Sequence, residues 1–365
     1  MTIAEHKVIT YFDECQVFNA KIGNQSTKFY ILAKSFVNLH IILYNGQTEN
    51  NMAEKIHCII DTDPGVDDSV AIALSLYDDA VNIDLITTVA GNLDLKSVTR
   101  NALHLLEKFK RKDIPLAMGA DKPMERESKD ATFIHQADGM GGYKPPKTVK
   151  TKPIEMPAVE AMYKTIIAHN GNVCIVALGP HTNLGYLIKQ HPDVIGKIKC
   201  IYCEGCSPYG WKSQGKWQHY VSFNASSDPE AFNIVINSGI PLVMVPSRMG
   251  RDLANFNEKE VENIAKINDV GRFIHEMYMG YWEHGYQDRR IATNDTCAMM
   301  CLRFPKLFKT VPVNVTIDTG EMPGKTTMIK NRRSHIRLAV KVNKKRMHQY
   351  YYEAIKKLDR FKFYK

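Results

Sequence analysis

One stretch constrains this chain more than any other: Asp61-Thr62-Asp63-Pro64-Gly65-Val66-Asp67-Asp68, four carboxylates within eight residues, directly after the apolar run Ile56–Ile60. The apolar run reads as a short buried strand, and Pro64-Gly65 as a sharp turn. Asp67 and Asp68 then open an apolar-rich helix with Val70, Ala71, Ala73 and Leu74 on its inner face. The acids therefore gather where a strand ends and a helix begins, the edge at which open α/β sheets bind ligands. Like charges this close repel by several kcal/mol at intermediate dielectric. A helix N-terminus offsets only about 0.3–1 kcal/mol per charge. A cap needs one acid rather than four, so a divalent cation is the economical counter-charge. An all-oxygen donor set favours a hard ion, Ca²⁺ or Mg²⁺, over Zn²⁺.

From Lys55 onward, strand and helix patterns alternate. Strands are expected at Ile56–Ile60, Ile83–Ala90, Pro115–Met118, Val173–Ala177, Ile198–Cys203 and Pro241–Val245, with late strands at Val311–Ile317, Thr326–Lys330 and Ile336–Val342. Helices are expected at Val98–Lys110, Ala158–His169, Thr182–His191, Pro229–Ser238 and Lys345–Leu358. Asp228 and Pro229 supply an N-cap and an N1 proline. The alternation predicts an α/β fold: an open, mostly parallel or mixed sheet flanked by helices, with its site at the C-terminal ends of the strands. Residues 1–51 read as an N-terminal extension of uncertain order, with Thr27–Tyr44 its most structured part, and 52–365 as the main domain. Met52 stands just upstream of the first core strand, where a shorter product would start.

The chain has 365 residues, 44% hydrophobic and 24% charged, as expected of a globular protein. No apolar run reaches the roughly 20 residues that span a bilayer, so no membrane partner is expected. Of the cysteines at 15, 58, 174, 200, 203, 206, 297 and 301, several lie in apolar strand or helix patterns, which points to reduced core thiols of a cytoplasmic protein. Cys200, Cys203 and Cys206 form a CxxCxxC run, but no partner set completes a zinc or iron–sulfur site. Lys325–Lys365 carries 14 Lys and Arg against 2 Asp and Glu, within a net charge of +9. Without a zinc-finger or RNP signature this tail reads as a solvated basic face, and no nucleic-acid partner is expected.

Four further motifs follow the acidic run in order: TVAGN at Thr88–Asn92, ALGPHTN at Ala177–Asn183, SFNASSDPEA at Ser222–Ala231 and NDTCA at Asn294–Ala298. Together with DTDPGVDD they resemble the nucleoside hydrolases, inosine/uridine-preferring nucleoside N-ribohydrolases, over Lys55–Leu358. The resemblance implies Ca²⁺-dependent hydrolysis of a purine or pyrimidine ribonucleoside to free base and ribose. It implies Asp63 as general base and metal ligand, activating a metal-held water. Asp68, Asp295 and the Leu178 carbonyl would be the other ligands, Asp61 a supporting acid, and Asp67, Asn92 and Asn224 the ribose contacts. It further implies a homo-oligomer, dimer or tetramer.

The loop His135–Gly142 resembles a glycine-rich lid, with His135 near the base or sugar, and the aromatic run Tyr278–Tyr286 reads as a second lid. The sequence departs from the family in three places. Asn294 stands where several members carry a histidine that protonates the leaving base. His284, Tyr281, Tyr286, Trp282 and Cys297 are the replacement candidates. Ser222 stands where a glutamate is common, and Glu204 near a position often held by methionine. Two other readings fit parts of the sequence: a non-catalytic nucleoside-binding homologue, which Asn294 and Ser222 favour, and a Mg²⁺-dependent phosphatase, which Gly65 disfavours. The preferred base is left open.

Overall fold

The computed structural model describes residues 55–207, 210–213, 216–219, 221–284 and 290–364, together with four strands nearer the N-terminus. The chain divides into two compact units, Met1–Glu54 and Lys55–Lys365. In the first, β1 (Lys7–Phe12), β2 (Cys15–Ile22), β3 (Gln25–Leu32) and β4 (Ile41–Leu43) form an antiparallel sheet in that order.

The second unit is built on nine strands: β5 (Ile56–Thr62), β6 (Val81–Thr88), β7 (Leu116–Met118), β8 (Val173–Ala177), β9 (Ile198–Glu204), then, beyond the separate hairpin of β10 (Gly210–Ser213) and β11 (Lys216–His219), β12 (Leu242–Val245), β13 (Phe308–Ile317), β14 (Thr326–Lys330) and β15 (Ile336–Val342). Their order is β14-β13-β15-β12-β9-β8-β5-β6-β7. From β15 to β7 every pairing is parallel, while β13 runs antiparallel to both β14 and β15. All nine expected strands are present, in the expected mixed sheet.

β5 starts the sheet's two halves. β6 and β7 extend it one way, and β8, β9 and β12 the other. The crevice between the C-terminal ends of β5 and β8 is therefore a topological switch point, where loops diverge and leave room for a ligand. The acidic run follows β5, and the ALGPHTN motif follows β8.

Side-chain alternation along β5 divides the core. Cys58 and Ile60 point to one face, with helices Val66–Ser75, Leu95–Lys108, Asp269–His284, Asn294–Arg303 and Lys344–Lys357. Ile59 points to the other, with Ala158–His169, Thr182–Gln190 and Pro229–Asn237. Some boundaries differ from expectation for local reasons. Helix Leu95–Lys108 begins three residues early because Asp94 caps it, accepting from Ser97 N at 3.0 Å. β6 ends at Thr88 rather than Ala90, and Val89 N turns back to Thr62 O at 3.1 Å, carrying Gly91 and Asn92 into the crevice. Among the described residues no helix is long and apolar enough to cross a membrane.

Candidate active site

The Asp61–Asp68 turn brings its four acids indoors. Asp61 and Asp63 are wholly buried, and Asp67 and Asp68 nearly so. Asp61 ends β5 and is clamped through Oδ1 by Thr87 Oγ1 at 2.6 Å and Asn183 Nδ2 at 2.8 Å. Asn183 closes the ALGPHTN motif, so one purpose of that motif is to orient an acid from another strand. Asp68 receives Thr62 Oγ1 at 2.6 Å, Gly65 N at 3.1 Å and Asn92 Nδ2 at 3.0 Å. Asn92 also donates its backbone N–H to Asp63 Oδ2 at 2.7 Å. This approach requires the adjacent glycine: a Cβ on Gly91 would stand 2.1 Å from Asp63 Oδ2.

Asp295, in the first turn of helix Asn294–Arg303, is delivered to the same place. Carboxylate oxygens of Asp67, Asp68 and Asp295 lie within 4.8 Å of one another. At that spacing each pair repels by about 3–4 kcal/mol at an effective dielectric near 20. Burial pushes the carboxyls of Asp63, Asp67 and Asp295 well above their usual range, and the neighbouring acids push them further. Asp61 is raised to about 6, by burial alone against the two hydrogen bonds. Asp61 Oδ2 and Asp63 Oδ1 are buried with no hydrogen-bond partner. Buried, crowded, partly unsatisfied carboxylates are the donor set a hard divalent cation fits. The sequence reading put Asp63 among the ligands and Asp67 on the ribose; the closest trio here contains Asp67, with Asp63 beside Asp68.

Above the acids opens a cavity of about 420 Å³, large enough for a nucleoside. Asp67, Asp68, Asn92, His135, Leu178, Asn224, Asn294 and Asp295 all line it, so these expected residues do converge. Asn224 Nδ2 donates to Leu178 O and, at 3.0 Å, to Glu204 Oε2. His135 Nδ1 accepts from Val66 N at 3.0 Å. Its ring is neutral, lowered to about 4 by burial, and with Nδ1 accepting, the proton sits on Nε2. Gly141, in the His135–Gly142 loop, has φ +59°, and a Cβ there would meet Met277 O at 2.1 Å. Glycine is what lets this loop lie on helix Asp269–His284.

The aromatic run divides. Tyr278 is core, its hydroxyl 2.6 Å from that of Tyr351, whereas Tyr281 lines the cavity with its ring 5.5 Å from His135. Trp282 packs against the core. Cys297 is buried beside Thr293 and Met347, its thiol pushed up to about 12 by burial, and it is not among the cavity-lining residues. Tyr286 and the His284 side chain lie outside the described residues. Ser222 is buried as the N-cap of helix Phe223–Ser227. Glu204 does face the cavity, held by Ser247 Oγ at 2.6 Å and raised to about 7 by burial. Ser247, Phe223 and Arg251 line it too and were not anticipated. Ser247 and Arg251 come singly, without a motif, whereas Phe223 stands inside SFNASSDPEA. Arg251 sits in a π-turn at Met249–Leu253, a local widening common at functional sites.

A nine-stranded α/β sheet with an acid-lined cavity at its switch point is the architecture of a small-molecule-binding α/β protein. The family profile described as inosine-uridine preferring nucleoside hydrolase matches residues 58–349. The non-specific ribonucleoside hydrolase RihC of Escherichia coli O127:H6 is 32% identical over 310 residues, covering 82% of this chain and 98% of that protein. RihC of Salmonella paratyphi C is 33% identical over 282 residues, covering 76% and 89%. Among solved structures, a plant nucleoside hydrolase, PpNRh1, matches with a TM-score of 0.75 at 27% identity, covering 82% of this chain and 98% of that one. A purine-preferring ribonucleoside hydrolase from Gardnerella vaginalis shares the fold, with a TM-score of 0.76 at 22% identity, covering 84% and 100%. The chain belongs to the inosine-uridine preferring nucleoside hydrolase family and is a nucleoside hydrolase.

Proposed function

We propose that this enzyme is Ca²⁺-dependent and hydrolyses the N-glycosidic bond of both purine and pyrimidine ribonucleosides, releasing base and ribose. The single observation that carries the reading is the convergence of four buried carboxylates, Asp67, Asp68, Glu204 and Asp295, on the wall of one nucleoside-sized cavity, with Asp63 buried directly behind Asp68. The name of its bacterial relatives, non-specific ribonucleoside hydrolase, supports the breadth of substrate.

Asp63, Asp68, Asp295 and the Leu178 carbonyl would hold the ion, with Asp67 close enough to share it. When bound, Ca²⁺ supplies the counter-charge that these acids lack, and acidifies and orients water. Asp63 is the general base. Asn92 N occupies its Oδ2 and leaves Oδ1 without a protein partner, so Oδ1 takes the water proton as the water oxygen bonds to C1′. The C1′–N electron pair leaves with the base, which takes a proton from solvent, while the proton held by Asp63 returns to solvent, so that one water is consumed per bond cut. Buried anions next to the ribose favour the cation-like sugar of the transition state. Asp67 accepts from, and Asn224 and Asn92 exchange hydrogen bonds with, ribose hydroxyls. Glu204, steadied by Ser247, takes the ribose 5′-hydroxyl, for which Ser222, buried as a helix cap, is unavailable. His135 presents Nε2–H, and Tyr281 its phenol, as donors on the base side. Closure of the His135–Gly142 loop would exclude bulk water. A homo-oligomer in the cytoplasm completes the reading.

Ribose release from inosine, adenosine, guanosine, uridine and cytidine, with Ca²⁺ and with chelator, is the test. Calcium-dependent release from at least one purine and one pyrimidine nucleoside is expected. Nucleoside binding with no release at saturating Ca²⁺ would replace this reading with that of a binding protein.

A further inference from the structure

At the opposite end of the same strands, three residues from three elements meet on one carboxylate. His57 lies in β5, Asp84 in β6, and His169 in the last turn of helix Ala158–His169. His57 Nδ1 is 2.9 Å from Asp84 Oδ2, and His169 Nε2 is 3.4 Å from Asp84 Oδ1. The two rings are 4.3 Å apart, centroid to centroid. One nitrogen of each ring and one carboxylate oxygen lie within 4.8 Å of one another.

We propose that His57, Asp84 and His169 form a second metal site, for a borderline divalent transition ion of the Zn²⁺ class, distinct from the acidic site. Zn–N and Zn–O bonds of about 2.0 Å at tetrahedral angles place donor atoms about 3.3 Å apart. Measured to the single oxygen Oδ1 of Asp84, the separations are 3.1 Å from His57 Nδ1 and 3.4 Å from His169 Nε2, which bracket that value, and the two ring nitrogens, within 4.8 Å of each other, need only draw together for an ion to enter. Two imidazoles and one carboxylate are a donor set that selects Zn²⁺ and its neighbours over Ca²⁺ and Mg²⁺. A neutral imidazole ligates through one nitrogen and keeps its proton on the other, so neither ring must lose its last proton. Asp84 has an orienting partner as well: Asn82 Nδ2 donates to Oδ1 at 2.6 Å. Such outer hydrogen bonds hold ligating carboxylates in place. All three side chains are partly exposed, 28%, 14% and 23% for His57, Asp84 and His169, so an ion has access and a fourth position stays open to water. An ion there would fasten helix Ala158–His169 to β5 and β6.

The test uses the full chain in saturating Ca²⁺, which keeps the acids occupied, and ZnCl₂ as probe. Calorimetry and metal analysis after dialysis should give one Zn²⁺ per wild-type chain, with a Zn²⁺-induced rise in Tm. His169→Gln, at a helix end where folding is little perturbed, should lower Zn²⁺ affinity at least tenfold and abolish the Tm rise. Asp84→Asn should do the same, and Asp68→Ala should keep the Zn²⁺ site. Unchanged stoichiometry in both His169→Gln and Asp84→Asn would overturn the proposal, as would a wild-type chain that takes up no Zn²⁺ in Ca²⁺. Co²⁺ in place of Zn²⁺ separates the remaining case. A sulfur charge-transfer band would place the ion on cysteine and also reject the site.

Discussion

The two ends of β5 and β6 handle charge in opposite ways. At the C-terminal end, Asp61, Asp63, Asp67, Asp68 and Asp295 are buried together, and the hydrogen bonds that hold Asp61, Asp63 and Asp68 come from hydroxyl, amide and backbone groups. At the N-terminal end, Asp84 is partly exposed and shared between two imidazoles. The second arrangement is satisfied as it stands, since each histidine can donate and the carboxylate accepts. The first is not, because crowded acceptors cannot satisfy one another. The lesson is that a protein can accommodate an ion in two ways, by needing it or by merely fitting it. Under the proposed function the acidic end is the one that needs a cation at neutral pH, whereas the histidine end has its hydrogen bonds satisfied without one.

The sharpest way to break this contrast is at Asp63. Asp63→Asn preserves shape and the hydrogen bond from Asn92 N but removes the base. Ribose release should fall by about 10²–10⁴-fold, with the chain still folded by circular dichroism. Near-normal turnover would move the base elsewhere among the acids.

The next largest effect is on stability. Stripping Ca²⁺ should lower the unfolding free energy by about 2.7 kcal/mol relative to protein held at a hundredfold excess over Kd, and Asp68→Ala should erase that dependence. The pH profile of the stripped protein carries the same signature. Asp61 ionises near 6 in the fold against 3.8 when unfolded, and Glu204 near 7 against 4.5. Between those values the folded chain holds more protons than the unfolded one, so stability falls as pH rises from about 4 to 7. Saturating Ca²⁺ should flatten this slope. Denaturant midpoints measured across that window, with and without the ion, check it; a metal-free protein that gains stability over the same window would contradict the account.

A smaller effect is expected on the cavity wall. Glu204→Gln keeps the size of the side chain but weakens its hydrogen bond to a substrate hydroxyl. kcat/KM should drop about tenfold, roughly 1.4 kcal/mol. A nucleoside lacking the 5′-hydroxyl should show little difference between wild type and variant. An equal loss with both substrates would place Glu204 away from that hydroxyl.

Asp61, Asp63, Asp67 and Asp68 were legible in the sequence because the chain spells them out contiguously, and apolar runs marked the central strands, while the edge strand Thr326–Lys330 is largely polar. The wall was much less legible. Glu204, Ser247 and Arg251 are each a lone polar residue at or beyond the end of a strand, and only the parallel pairing of β9 with β12 brings them together. The helix Asp269–His284 was obscured for a different reason. Tyr278 and Tyr281 are three residues apart, on adjoining faces of one helix, so the same aromatic run serves both core and cavity. The His57–Asp84–His169 group left no sequence signal at all, since its members are separated by 27 residues and then by a whole crossover.

That group supplies the smallest predicted effect and the clearest control. In His57→Asn the Asp84 carboxylate keeps Asn82 and His169, and it remains partly in water. Partly exposed ion pairs contribute about 0.2–1 kcal/mol, so unfolding should shift by no more than that. Ribose release should stay at the wild-type level, because the residue lies at the far end of the sheet from the cavity. The comparison then rests on a pair of numbers from one assay: a drop of two or more orders of magnitude from a single change at Asp63, and none from a single change at His57. If His57→Asn instead cut turnover without unfolding the chain, the two ends of the strands would be coupled, and the histidine end could no longer be treated as a separate site.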